Sequence, residues 1–188
     1  MKTLGGLPES WKTLKIPEVL FFQEGPGVRK WQFRDTGVKL ANVGNINNSK
    51  ITLSKTKIHL AEDEAYGKYS HFMIDEGDLL IACSGIVVSN FHNKIAFVEK
   101  EHLPLCLNTS TMRFKALDEK VISLNFFRYF LQTNVFTSQL RKLITGSAQL
   151  NFGPSHIKKI DIVLPPLPEQ QKIAAILDAA DQLRQKDQ

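Results

Sequence analysis

Cysteine is scarce in this chain, with two residues, Cys83 and Cys106, among 188. Two thiols cannot build the multi-bridge framework of a small secreted domain. The simplest reading is a pair of reduced thiols in a cytoplasmic protein. Long apolar runs are missing too. The longest, such as Leu79–Cys83, are strand-sized, far short of the ~20 residues a membrane span requires. The opening MKTLGGLPESW holds a lysine but no apolar h-region, so no secretory signal is visible. Glycine (11 residues) and proline (8 residues) are infrequent enough to exclude collagen-like and low-complexity chains.

Catalytic signatures are absent as well. There is no GxxxxGK phosphate loop and no GxGxxG, no GxSxG elbow and no HExxH. Asn151-Phe152-Gly153-Pro154 superficially resembles the Asn-Pro-Pro-aromatic site of amino-methyltransferases, but the order is wrong. Leu164-Pro165-Pro166-Leu167 lacks the polar residue that site needs. His102 with Cys106, and Cys83 with His92, form no paired CxxC knuckle. Both cysteines sit in apolar runs and read as buried structural thiols, so no metal is expected.

What is present is an ordinary globular composition, 43% apolar and 23% charged, long enough to bury one core without staples. The net charge is +5, which suggests an anionic partner. Its distribution says more. Gly27–His59 carries seven basic residues (Arg29, Lys30, Arg34, Lys39, Lys50, Lys55, Lys57) against one acid, Asp35. Met112–Ile160 carries eight basics against Asp118 and Glu119. An acidic stretch with Glu62, Asp63, Glu64, Asp75, Glu76 and Asp78 lies between. Two basic blocks suit one positive face, although lysines also simply solvate loops. Asp75–Asp78 reads as a solvated turn.

Trp11–Phe114 reads as mostly strands. Gly37–Val43 alternates and meets the turn-rich NINNSK. The turn DEGD feeds Leu79–Ala82, and Ser84-Gly85 breaks that run. Ile95–Val98, Leu103–Leu107 and Met112–Phe114 are further strand-length runs. Ser123–Thr145 reads as helix, with Ser123 as N-cap. Phe126, Phe127, Phe130 and Leu131, then Val135, Phe136, Leu140, Leu143 and Ile144, form its core-facing stripe. Asn134 is a candidate break, and Gly146 stands where a C-terminal glycine belongs. After a polar loop, Ser155 is a candidate cap of a short turn and Ile160–Leu164 a last strand. PPLPEQ then fixes entry into a final helix, where proline is tolerated only in the first turn and Glu169 meets the positive helix start. Ile173, Ile176, Leu177, Ala180 and Leu183 form an apolar stripe with heptad character. A bare helix of ~20 residues needs a partner to cover such a stripe.

These residues carry a resemblance. LPPLPEQQKIAAI (Leu164–Ile176) resembles the signature that closes a target recognition domain in the specificity (S) subunit of type I restriction-modification enzymes. LPESW resembles the family's opening tryptophan segment, and Glu76–Ala82 with Ser84-Gly85 its glycine-aspartate strand. Asn125–Thr133 resembles its post-strand helix, and Gly146-Ser147 with Gln149 the polar loop before the last strand. The similarity spans roughly Leu7 to Arg184.

The resemblance implies an α+β fold. A mixed small-sheet target recognition domain with packed helices (residues 1–164) is followed by a long C-terminal helix of coiled-coil type (residues 165–188), the start of a spacer. It implies a non-catalytic subunit that reads one half of a bipartite site in double-stranded DNA. Methyltransferase (M) and restriction (R) subunits would be its partners, and S-adenosylmethionine, ATP and Mg are expected only on those partners. The terminal helix would pair with the second half of the S subunit or with another copy. One domain without an internal repeat fits a half-subunit or, as the interrupted heptad pattern favours, an N-terminal fragment.

Loops that reach the major groove can distinguish all four base pairs, whereas lysine and arginine on phosphates set register. The candidates lie in three polar loops. The first holds Arg29, Lys30, Gln32 and Arg34, the second Asn45, Asn47, Asn48 and Lys50, and the third Gln149 and Asn151. Ser89, Asn90 and Asn93 are weaker candidates. For any asparagine the competing reading is turn chemistry. Two other functions remain open: a stand-alone adenine methyltransferase or restriction enzyme, which would bind S-adenosylmethionine, and a protein-interaction adaptor, which would show no duplex affinity.

Overall fold

The structure, a computed structural model, describes residues 6–144 and 149–186, with side chains as far as residue 184. Its centre is a four-stranded antiparallel sheet ordered β2-β11-β7-β9, made of β2 (Leu20–Glu24), β7 (Leu79–Ala82), β9 (Ile95–Phe97) and β11 (Thr111–Ala116). All four residues of β7 are buried. Leu79 and Ile81 enter the main core, and Leu80 enters a second one. A strand covered on both faces reads as a continuous apolar run rather than an alternating one.

A second sheet is ordered β10-β3-β6. It pairs β3 (Val38–Ala41) parallel with β10 (Leu105–Leu107) and antiparallel with β6 (His59–Leu60). Parallel partners 66 residues apart leave no local signal, so the sheet order is not readable from spacing. At Gly37 φ is +118° and an added Cβ would stand 2.3 Å from the Leu60 carbonyl oxygen, so only glycine fits. The short helix α1 (Glu62–Tyr66) follows β6.

Helix α2 (Leu124–Leu131) starts at Ser123, whose hydroxyl accepts the Phe126 N–H, as the sequence predicts. The predicted break is real, and Thr133 caps α3 (Asn134–Leu143) by accepting the Phe136 N–H. Phe127 is fully buried, with its ring 5.0 Å from that of Phe114 and 6.1 Å from that of Phe130. The aromatic stripe is therefore core, except that Val135 is 56% exposed. Gly146 and Ser147 lie outside the described residues. Ser155 does not cap. Gly153 occupies that position and Ser155 lies within α4 (Pro154–Ile157).

The chain ends of the domain close on each other. β1 (Lys12–Lys15) pairs antiparallel with β13 (Asp161–Leu164). Trp11 Nε1 donates to Glu169 Oε2 at 3.0 Å, joining the opening tryptophan to the PPLPEQ element. Helix α5 (Leu167–Lys186) follows. Gln170 is fully buried at its base. Its Oε1 accepts the Ser123 N–H at 2.9 Å, and its Nε2 donates to the Val121 and Pro165 carbonyls at 2.9 and 2.8 Å. Two turns on, Asp178 accepts from Arg128, Tyr129 and Asn125 of α2. Burial, then the bond to Asp178, push the Tyr129 hydroxyl pKa up.

This docking splits the predicted stripe. Ile173 packs on the main core, and Ala180 is half-buried. Ile176, Leu177 and Leu183 are 60%, 38% and 63% exposed.

The Asp75–Asp78 turn differs from expectation. Asp78 is buried and accepts from Arg113 at 3.3 Å, with Lys115 Nζ 3.4 Å away. Arg113 also donates to the Met73 and His71 carbonyls and to Gln23. A buried ion pair is tolerated when its remaining donors are satisfied in this way. Both cysteines are buried, and burial pushes both thiol pKa values up to about 12, consistent with inert structural thiols.

Candidate nucleic-acid interface

The second candidate loop is a hairpin. β4 (Ile46–Asn47) and β5 (Lys50–Ile51) pair antiparallel, leaving Asn48 and Ser49 as a two-residue tip. Both have positive φ, +50° and +57°, the backbone of a type I′ turn. Asparagine tolerates that region, whereas serine adopts it at a cost. The cost is offset by docking. Ser49 N–H donates to the Asn93 carbonyl at 3.1 Å and its hydroxyl to the His92 carbonyl at 3.3 Å. Lys94 braces the same tip, donating to the Val43 carbonyl and to Asn47 Oδ1 at 3.2 and 2.6 Å. Burial lowers the Lys94 pKa.

The hairpin therefore sits on the 3-10 segment Val88–Lys94, which carries the weaker candidates. Ser89 and Asn90 are exposed there, and Asn93 is half-buried, donating to Asn90 Oδ1 at 2.8 Å. The same segment continues from β8 (Ile86–Val87), which pairs antiparallel with β12 (Gln149–Leu150). Asn151 Oδ1 accepts from Ser84 Oγ and from the Gly85 N–H at 3.0 and 2.8 Å, and Gly85 takes φ +69°. Gln149 and Asn151 are exposed. Residues 84–94 thus bring the second loop, the third loop and the weaker candidates together, although they come from sites 100 residues apart.

Beside them lies an open cleft of about 940 Å³, walled by Asn48, Lys50, His92, Asn93, the α2 residues Arg128 and Gln132, and the outer turns of α5. Arg128 is committed to Asp178.

Two predicted readers belong to the interior. Gln32 is 2% exposed; its Nε2 donates to Glu64 and to the Tyr69 hydroxyl, and its Oε1 accepts the Arg29 N–H. Asn45 is 8% exposed; its Oδ1 accepts the Asn42 N–H and its Nδ2 donates to Thr52 and Thr56. Asn45 satisfies its own turn, the competing reading for an asparagine, and Gln32 ties its turn to Glu64 and Tyr69; neither amide is presented to a groove.

The first loop is held elsewhere. Arg29 and Lys30 are exposed at the start of the 3-10 turn Lys30–Gln32, and Arg34, also exposed, follows it and bridges His59 through its backbone. This loop precedes β3 and the hairpin follows it, so the two leave that strand at opposite ends, roughly 13 Å apart along it. Sequence reasoning passed over Trp31 in this loop, which is 75% exposed. It also passed over Lys94 and Gln170.

Charge separates the basic blocks. In Met112–Ile160, Arg113, Lys115 and Arg128 face carboxylates. Among the described residues, none of the seven cations of Gly27–His59 has a carboxylate partner.

The sequence profile described as the type I restriction modification DNA specificity domain matches residues 8–187. The MjaVIII type I restriction enzyme specificity subunit of Methanocaldococcus jannaschii is 30% identical over 180 residues, covering 96% of this chain and 41% of that protein. The EcoKI specificity subunit of Escherichia coli is 25% identical over 181 residues, covering 93% and 37%. The crystal structure of the HsdS subunit from Thermoanaerobacter tengcongensis superposes with a TM-score of 0.65 at 18% identity, covering 97% of this chain and 40% of that one. The chain thus spans about two fifths of the length of the curated relatives it matches.

Proposed function

We propose that this chain, which belongs to the type I restriction modification DNA specificity domain family, reads sequence in one half of a bipartite DNA target. The observation that carries this reading is the convergence on residues 84–94 of polar loops from two distant parts of the chain. Asn48, Asn90, Asn93, Gln149 and Asn151 are the amides this reading assigns to base edges. Lys50, with the unpaired cations of the first basic block, holds phosphates and sets register.

The chain itself is non-catalytic in this reading. It directs methyltransferase and restriction subunits to the site, and S-adenosylmethionine, ATP and Mg belong to those partners. Residues 6–164 serve as the recognition domain. α5 is the scaffold, and Ile176, Leu177 and Leu183 form the seam that meets a second helix from the other half of the S subunit or another copy. No described helix is long and apolar enough to cross a membrane, and the reading places the protein in the cytoplasm with its DNA.

The test is duplex binding at two salt concentrations. Weak binding with steep salt dependence is expected, since each neutralised phosphate releases counterions. Absence of binding at low salt, or binding indifferent to salt, defeats the reading.

A further inference from the structure

Trp31 is the most exposed large apolar side chain among the described residues, at 75%. Its seat is built to keep it outside. The 3-10 turn Lys30–Gln32 carries Gln32 next to it, and the buried Gln32 amide is fastened to Glu64, Tyr69 and the Arg29 N–H. Arg34 Nη1 donates to the carbonyls of Trp31 and Phe33, both at 3.0 Å. With Gln32 pinned inward and the backbone braced from below, the indole is held out on a rigid turn. A tryptophan presented this way loses little conformational entropy when it becomes buried.

The surroundings identify what covers it. Arg29 and Lys30 immediately precede Trp31 and are exposed, and neither side chain has a partner among the described residues. They belong to the block of seven cations without carboxylate partners. Lysine is depleted at the centre of protein–protein patches, whereas an exposed aromatic next to cations without carboxylate partners suits a polyanion with an apolar groove.

We propose that Trp31 is a direct DNA contact, an apolar side chain set into a groove of the duplex while the neighbouring Arg29 and Lys30 hold phosphates. The proposal rests on the DNA-binding reading above and adds to it a contact that carries no charge.

Tryptophan fluorescence of the chain tests it, because the only other tryptophan, Trp11, is half-buried and bonded to Glu169. Saturation with a mixed-sequence duplex at low salt should shield Trp31 from acrylamide and shift emission to the blue, and Trp31→Phe should remove that signal. Trp31→Ala should weaken duplex binding on the order of 10-fold and leave the salt slope unchanged, since no phosphate contact is lost. Lys30→Ala should instead lower the slope by about one. Circular dichroism checks that each variant is folded.

If Trp31 stays open to quencher while duplex anisotropy shows binding, or Trp31→Ala keeps full duplex affinity, the proposal falls and the DNA reading stands. Trp31→Ala that binds duplex normally but no longer assembles with methyltransferase subunits also overturns it, assigning the patch to protein. Failure of the unaltered chain to bind duplex at low salt removes both.

Discussion

Gln170 offers the sharpest test of how the terminal helix is joined to the domain. Its side chain is fully buried and makes three bonds, to the Ser123 N–H and to the Val121 and Pro165 carbonyls. Gln170→Ala strands one donor and two acceptors at the junction of α2 and α5. An unsatisfied buried polar group costs about 1–3 kcal/mol. Water entering the vacated space relieves the carbonyls more readily than the amide, so a net loss of about 3 kcal/mol is expected. At this chain length each kcal/mol moves the melting temperature by roughly 2–4 °C, giving a fall of about 6–12 °C.

Gln170→Glu sharpens the test. An ionised carboxylate there still accepts from Ser123 but opposes two carbonyl oxygens at a fully buried position. Its folded pKa must therefore rise above the unfolded value, which makes the variant's stability greatest below the usual glutamate pKa. That stability is lost as pH rises through the folded value. Thermal melts of both variants across pH read both effects. A Gln170→Ala melting temperature within 2 °C of the unaltered chain (roughly one kcal/mol or less) would refute the reasoning.

Three other outcomes are expected. Ile176→Glu places its charge on a side chain 60% exposed, so circular dichroism and melting should change by no more than about 0.5 kcal/mol while assembly with methyltransferase subunits is abolished; normal assembly would remove α5 as the scaffold. Burial raises the Glu24 pKa, so its folded state favours the proton and the ionised form opposes folding at neutral pH. Glu24→Gln should therefore raise the melting temperature at pH 7, and the gain should vanish as pH falls below the ordinary glutamate value of 4.5. Gln149→Ala should relax target preference at one position of the assembled enzyme without altering salt dependence, as read from binding to a panel of duplexes.

Legibility from sequence followed the range of the interactions. The Ser123 cap, the break near Asn134 and the terminal helix rest on contacts within a few residues, and all are present. The parallel β3–β10 pair and the joining of β12 to β8 depend on distant chain segments and leave no local trace. Buried polar residues misled for a related reason. Gln32, Asn45 and Asp78 sit in polar stretches that read as surface, yet their partners, Tyr69, Thr56 and Arg113, lie 11 to 37 residues away. Trp31 stood beside three basic residues, a local signal that was there to be used. Asn47 and Asn48 were readable as turn residues. That Lys94 and the 88–94 segment hold their tip follows only from the fold.

If, as proposed, this chain directs a methyltransferase to its site, methylome sequencing of cells with and without its gene reads that effect. The account predicts that one bipartite methylated motif disappears with the gene, and that Asn48→Ala combined with Asn93→Ala alters one half of that motif while leaving the other half as it was. An unchanged methylome in the absence of the gene, with the methyltransferase subunits still present, would contradict it.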